Sequence, residues 1–288
     1  MKKGFHAVLF HGLYKPEQAH CLRHPYLYIS TEEFDQIVGL LHQEGFNFIS
    51  QLDLMSGKID GCRNVMLTFD DGYFNNSYAL PILEKYKVPA LFFMVMDQIQ
   101  QNHAFWWDIY LTQDNGRSDF QDLYFQFQGL KLQRYEDIEA GIIARFGEGA
   151  LHIPTDIMRP FTLEEARKFA KHPYVAIGAH SRYHDNLSLL GGKELEENLR
   201  VSKSFLEELA GSSVGLISYP FGFFNEEVVK MSEYLGYSYG MTTKLGFNDI
   251  SLLSERHDQL RLNRDVFPIP QDSRSVLNQV RDFIKAIA

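Results

Sequence analysis

Short apolar runs alternate with amphipathic helical patterns along nearly the whole 288-residue chain, and this rhythm limits its fold more than any other feature. The runs predict strands near 7–10, 65–69, 90–95, 174–178, 215–219, 238–242 and 259–262. Between them, Ser30-Thr31-Glu32-Glu33 reads as a capped helix start. Phe34, Ile37, Val38 and Leu41 follow at core-facing spacing, and Gly45 ends the pattern. Phe161-Thr162-Leu163-Glu164-Glu165 repeats that start signal, and further helices are expected over 76–86, 193–210, 226–235 and 273–288. Strands separated by helices can pair in parallel, so the expected class is α/β with a largely parallel sheet, and seven runs suit a partial barrel. From about 101 to 160 the rhythm breaks, in a stretch that holds both tryptophans in His103-Ala104-Phe105-Trp106-Trp107-Asp108. It reads as an insertion over the site-bearing face of a single domain spanning 1–288.

Composition narrows the partners. A hydrophobic fraction of 45% and a charged fraction of 23% are ordinary for a globular protein with a sizeable core. With 28 Lys plus Arg against 37 Asp plus Glu, the net charge of -9 disfavours nonspecific attraction to nucleic acid or anionic lipid. No stretch approaches the roughly 20 apolar residues needed to cross a bilayer. The start at Met1-Lys2-Lys3-Gly4-Phe5-His6 lacks a signal-peptide pattern, and Cys21 and Cys62 have no paired spacing. A cytoplasmic, reducing location is therefore the expectation. No phosphate-binding Gly-rich loop or internal repeat is present.

Val65-Met66-Leu67-Thr68-Phe69-Asp70-Asp71-Gly72 ends one apolar run on two carboxylates and a glycine. Neighbouring side chains leave a strand in opposite directions, so such a pair can divide its labour between a metal and a proton. The same residues also close strands as simple turns. Downstream, Ile177-Gly178-Ala179-His180-Ser181-Arg182-Tyr183-His184 spaces two imidazoles four apart, which on one helical turn puts both on one face. With Asp71, His180 and His184 would make a two-histidine, one-carboxylate metal site with open positions. A lone His-x3-His is more often solvent-facing or satisfied in a core. Cys21-Leu22-Arg23-His24 offers only two ligands, too few for a second metal.

In their order these segments resemble the polysaccharide deacetylases of carbohydrate esterase family 4. Thr68-Phe69-Asp70-Asp71-Gly72 is similar to the family's first motif, and His180-Ser181-Arg182-Tyr183-His184 to its second, His-Ser/Thr-x-x-His. Ser218-Tyr219-Pro220-Phe221-Gly222 resembles the third, usually Arg-x-Pro-Tyr-Gly, with two departures. Phe221 lacks only the Tyr hydroxyl and keeps the backbone N–H that the family uses for the oxyanion. Ser218, however, stands where the family carries the Arg that pairs with the catalytic base. A branch that includes deacetylases of biofilm poly-N-acetylglucosamine has its motifs circularly rearranged and takes this Arg from a late Leu-Pro-Arg segment. Leu262-Asn263-Arg264 sits in that place. The branch also carries its general-acid histidine at the end of an N-terminal strand, as in Ala7-Val8-Leu9-Phe10-His11. Without the resemblance, His11 reads as a histidine ending a buried strand.

The resemblance covers most of residues 5 to 270 outside the insertion and implies a distorted (β/α)7 barrel with its chemistry on the loops after the strands. It implies hydrolytic removal of acetate from an N-acetylated sugar in a glycan or glycan precursor. Asp71, His180 and His184 would hold a divalent ion, zinc by default, though such sites also accept cobalt, manganese or iron. Asp70 would be the base, Arg264 would keep it ionised, the Phe221 N–H would help bind the oxyanion, and His11 would protonate the leaving amine. Two other readings stay open: a glycan-binding pseudoenzyme, from the departures at Ser218 and Phe221, and a deacylase or deformylase of a non-polymeric amide.

Overall fold

The computed structural model describes residues 3–24, 26–253, 256–267 and 274–287. Six strands lie side by side in chain order and all run parallel: β1 (Gly4–Phe10), β2 (Asn64–Phe69), β3 (Ala90–Met94), β4 (Val175–Ala179), β5 (Leu216–Ser218) and β6 (Tyr239–Met241). The seventh departs from the expectation at 259–262. Gln259 ends a short helix, Arg256–Gln259, and the Leu260 N–H still donates to the Arg256 carbonyl. Only then does the chain straighten. Leu262 bridges Met241, and β7 (Asp265–Val266) pairs with Val8 and Leu9 of β1. Residues 262–266 thus carry the sheet from β6 back to β1, and the result is a distorted (β/α)7 barrel.

Strand alternation divides the apolar residues into two cores. Phe5, Ala7, Met66, Leu91, Phe93, Leu216, Met241 and Leu262 fill the barrel. Val8, Phe10, Leu67, Phe69, Phe92 and Ile217 form the other layer, under the helices. The inward rows run on to polar residues at or beside the strand ends: Thr68 to Asp70, Gly178 to His180, Leu216 to Ser218, and Leu262 to Arg264 just ahead of β7. Polar residues at these positions are therefore delivered to one end of the barrel axis by the same period of two that builds its core.

Helix α1 (Thr31–Gln43) begins at the expected capping box, in which Ser30 and Glu33 satisfy each other's backbone N–H. The helix expected from 76 starts later: Phe74–Ala79 is a 3-10 turn, and α2 (Leu80–Tyr86) follows with Pro81 in its first turn, where a missing N–H is harmless. Between β3 and β4 the chain adds α3 (Trp106–Asp114), α4 (Phe120–Leu130) and α5 (Tyr135–Phe146). These helices share an apolar cluster that includes Trp106, Trp107, Leu123, Phe127, Ile138 and Ile142, and that reaches Tyr28 and Tyr73. Then come α6 (Leu163–Ala170), capped by Thr162 and Glu165, α7 (Gly192–Ala210), α8 (Glu226–Tyr234) and α9 (Val276–Ile287). Positions 273 and 288 of the last expected helix lie outside the described residues. Among the described residues no helix is long and apolar enough to cross a membrane.

Candidate active site

The Asp70 N–H still pairs with the Phe10 carbonyl at 3.0 Å, as a strand residue would, and then the chain turns sharply. Asp71 and Gly72 both take left-handed backbone, with φ of 74° and 83°. A Cβ on Gly72 would lie 3.1 Å from the Met94 side chain, so glycine suits this position on both conformation and space. The turn sends the two carboxylates to different partners. Asp70 meets Arg264, whose Nη1 and Nη2 donate to Oδ1 and Oδ2 at 2.7 and 2.8 Å. Arg264 Nη2 also donates to Ser218 Oγ at 2.9 Å, and Ser218 Oγ donates to Asp70 Oδ2 at 3.0 Å. The Arg264 Nε–H donates to the Thr242 carbonyl, which fixes the plane of the guanidinium. The serine in the third motif therefore leaves room for an arginine arriving just ahead of β7 and joins its network.

Asp71 faces the histidines. Its Oδ1 lies 3.5 Å from His180 Nε2 and 3.2 Å from His184 Nε2. The expectation that one helical turn aligns these rings is corrected. Residues 180–184 form a loop, with left-handed backbone at Ser181 and His184. The His180 N–H remains bonded to the Met94 carbonyl, so the chain leaves β4 extended. The loop is then pinned by two buried polar contacts, Asp185 N–H to Ser181 Oγ and Ser202 Oγ to the Ser181 carbonyl, and by a half-buried one, Arg182 N–H to Asn198 Oδ1.

The donor chemistry fits a cation. His180 Nδ1 lies 2.8 Å from the Ser218 carbonyl, which can only accept, so Nδ1 carries the hydrogen. The neutral ring then turns its Nε2 lone pair toward a carboxylate oxygen. Two imidazole nitrogens and one carboxylate oxygen lie within 4.8 Å of one another, all on buried residues. Without a proton or a metal between them these acceptors repel, and a divalent ion satisfies all three while leaving positions free. Burial opposes protonation of His180, but Asp70 and Asp71 outweigh it and raise its pKa. Burial pushes His184 down to about 4. Burial also opposes the charge of Asp70, yet Arg264, His180 and His11 together hold its pKa below the usual carboxylate range. Asp71 is lowered as well, by its contacts with the two histidines against the opposing effect of burial.

A cleft of about 400 Å³ opens above these residues, lined in part by His11, Asp70, Asp71, His180, His184 and Phe221. The structure thus brings six of the seven sequence-derived candidates to one cleft, with Arg264 behind Asp70. His11 directly follows β1; burial lowers its pKa, and the two aspartates partly oppose that. Its carbonyl is held by Asn76 Nδ2 at 2.6 Å. Phe221 has φ 57°, and its ring packs edge-on against His184 at 4.4 Å. A Cβ on the next residue, Gly222, would fall 2.2 Å from Thr243 Oγ1.

Several participants gave no usable sequence signal. Trp106 and Trp107 are both buried, and both line the cleft. Trp107 packs against His184 at 4.9 Å, and its indole N–H donates to Tyr73 OH, which in turn donates to Asp108 Oδ2 at 2.6 Å. Asp108 is fully buried, and that burial drives its pKa far above the carboxylate range. His24 and Lys131 also line the cleft. Only the Tyr that follows Asp70-Asp71-Gly72 and the polar residue within an aromatic run could have hinted at this network.

The sequence profile of the polysaccharide deacetylase family matches residues 57–240, which include Asp70, Asp71, His180, His184 and Phe221. The chain belongs to the polysaccharide deacetylase family. His11 and Arg264 lie outside the matched span. The Bacillus subtilis protein YxkH, assigned to the polysaccharide deacetylases by name alone, is 24% identical over 225 residues, 76% of this chain. This family member spans 60% of the length of that curated relative. Among solved structures, the Streptococcus pyogenes deacetylase PplD, in complex with acetate, aligns over 97% of this chain and 99% of its own, with 18% identity and a TM-score of 0.64. IcaB from Ammonifex degensii aligns over 98% and 97%, with 19% identity and a TM-score of 0.62. Both share the deacetylase fold.

Proposed function

We propose that this family member is a metal-dependent carbohydrate N-deacetylase that hydrolyses the acetamide of an N-acetylated sugar to a free amine and acetate. One observation carries the reading: adjacent carboxylates at the floor of one cleft have opposite surroundings. Asp71 converges with two imidazoles, whereas both oxygens of Asp70 are taken up in a bidentate pair with Arg264, and Asp70 Oδ2 stands 3.9 Å from the nearer imidazole, His180. Asp71, His180 and His184 would hold a divalent ion, whose chemistry when bound is to lower the pKa of water and to polarise an acyl oxygen. Asp70, ionised and held by Arg264 and Ser218, accepts a proton from the attacking water. The guanidinium stops Asp70 from swinging onto the metal side, so the carboxylate stays available as a base. The Phe221 N–H, presented by left-handed backbone, is a donor for the oxygen that gains charge. His11 stands in the same cleft to protonate the amine as it leaves. Acetate, the expected second product, is the ligand bound in PplD.

The test is acetate and primary-amine release from a panel of acetamido sugars, before and after chelation and with zinc, cobalt or manganese restored. Equimolar acetate and amine that vanish on chelation and return with metal are expected. Full turnover by metal-free protein overturns the assignment of the triad.

A further inference from the structure

The charges around the cleft do not all cancel. Asp70 is matched by Arg264, and Asp71 faces two imidazoles. Lys131, just after α4, has no such match: among the described residues it forms no ion pair, and its ammonium instead lies 5.2 Å from the Phe221 ring centroid and 5.7 Å from that of Tyr124. It is half-buried, and burial depresses its pKa with no neighbouring acid to oppose the effect. In a chain of net charge -9, a desolvated ammonium left without a carboxylate calls for an explanation beyond folding, because burying an unpaired cation is unfavourable.

His24 shares that wall of the cleft. The Tyr26 N–H donates to His24 Nδ1 at 3.2 Å, so the hydrogen of the neutral ring sits on Nε2, which adds one donor. Burial, with His11 and Lys131 nearby, holds the His24 pKa down to about 3. Phe221 links this wall to the proposed metal ligands, since its ring touches both His184 and the Lys131 ammonium. The two therefore stand as far apart as adjoining parts of one small substrate.

We propose that Lys131 and His24 form an anion subsite, and that the substrate is an N-acylated sugar carrying a phosphate group. This rests on the deacetylase reading above and adds a substrate class to it. Phosphate is favoured over carboxylate because a compact ammonium with three rotatable donors suits a phosphate oxygen. A planar carboxylate is best matched by a free guanidinium, and the cleft's arginine is already committed to Asp70. Trp106, Tyr124 and Phe221 supply apolar faces for the sugar between the two ends.

Binding of N-acetylglucosamine 1-phosphate, UDP-N-acetylglucosamine, a short-chain prenyl-diphosphate N-acetylglucosamine and the neutral methyl N-acetylglucosaminide is measured by titration calorimetry. Quenching of Trp106 and Trp107, the chain's two tryptophans, reports cleft occupancy for the non-absorbing probes. At least one phosphorylated probe should bind roughly tenfold more tightly than the methyl glycoside, the effect of one charge-assisted contact. The tightest of the three identifies the source of the phosphate. The preference should fall to about twofold in Lys131→Gln and survive in Lys131→Arg, because arginine keeps both the charge and N–H donors for a phosphate oxygen. Equal affinity for charged and neutral sugars, or a preference that persists in Lys131→Gln, overturns the proposal. If no sugar yields acetate while the phosphate preference holds, the deacetylase reading fails and the anion subsite stands.

Discussion

Arg264 is fully buried and gives both terminal nitrogens to Asp70, so neither member of the pair can be removed alone without stranding a charge. We expect Arg264→Met to destabilise the fold by about 3–5 kcal/mol in denaturant unfolding, the usual effect of leaving one buried ion unpaired. A loss below about 1 kcal/mol would show that Asp70 finds another partner or takes up a proton freely. His11 is expected to act on the leaving group. His11→Ala should lower turnover of amides roughly 100-fold or more, and that of activated acetate esters far less, because an ester leaving group needs little protonation. Matching losses on both substrates would make His11 structural. The Asp70–Arg264 contact was legible because the third motif lacks its arginine and a late Leu-x-Arg segment offers another. Ser218 as a member of that network was not legible, since a serine in place of an arginine reads simply as a loss.

The elements that build the cleft differ in how plainly the sequence announced them. Strands β1 to β6 and the two capping boxes follow local rules, and they lie where periodicity and Ser30 or Thr162 put them. The last strand misled because Leu260 and Leu262 are buried for different reasons, one closing a short helix and one bridging β6. The histidine loop misled because a spacing of four has more than one geometry, and here two left-handed residues do the work of a helical turn. The inserted helices carry a network with its own test. Asp108 lies buried at the start of α3, and its raised pKa means that it keeps its proton in the fold at a pH where the unfolded chain has lost it. Above about pH 4 the unfolded state binds fewer protons, so this group's contribution to stability declines as pH rises toward its folded pKa. Asp108→Asn keeps an acceptor for Tyr73 and removes the ionisation, so its stability relative to the native chain should improve between pH 5 and pH 8 in denaturant unfolding. Asp108→Ala should cost roughly 1–3 kcal/mol by leaving the Tyr73 hydroxyl unmatched. Parallel pH profiles for the native and Asp108→Asn proteins would show that Asp108 is ionised in the fold.

Taken as a whole, the barrel turns one alternating pattern into both a core and a site. Met66, Leu216 and Leu262 fill its interior, their rows lead on to Asp70, Ser218 and Arg264, and the row of Gly178 leads to His180, all at one end of the axis. Residues nearly 200 positions apart in sequence, Asp70 and Arg264, meet because residues 262–266 close the curl between β6 and β1. This convergence is a property of the closed sheet, and no local segment carries it. The fold class and the acidic pair were readable from the chain. The inserted helices that wall the cleft, with Lys131 and His24, follow no motif and emerged only from tertiary packing. The account turns on Asp70 and Asp71 having separate tasks, and metal content measured together with acetate release on Asp70→Asn and Asp71→Asn tests it most directly. Asp70→Asn should keep one equivalent of metal and lose about 10²–10⁴ in turnover, whereas Asp71→Asn should lose the metal. An Asp70→Asn protein that turns over within tenfold of native, or that fails to hold metal while folded, would contradict the division of labour.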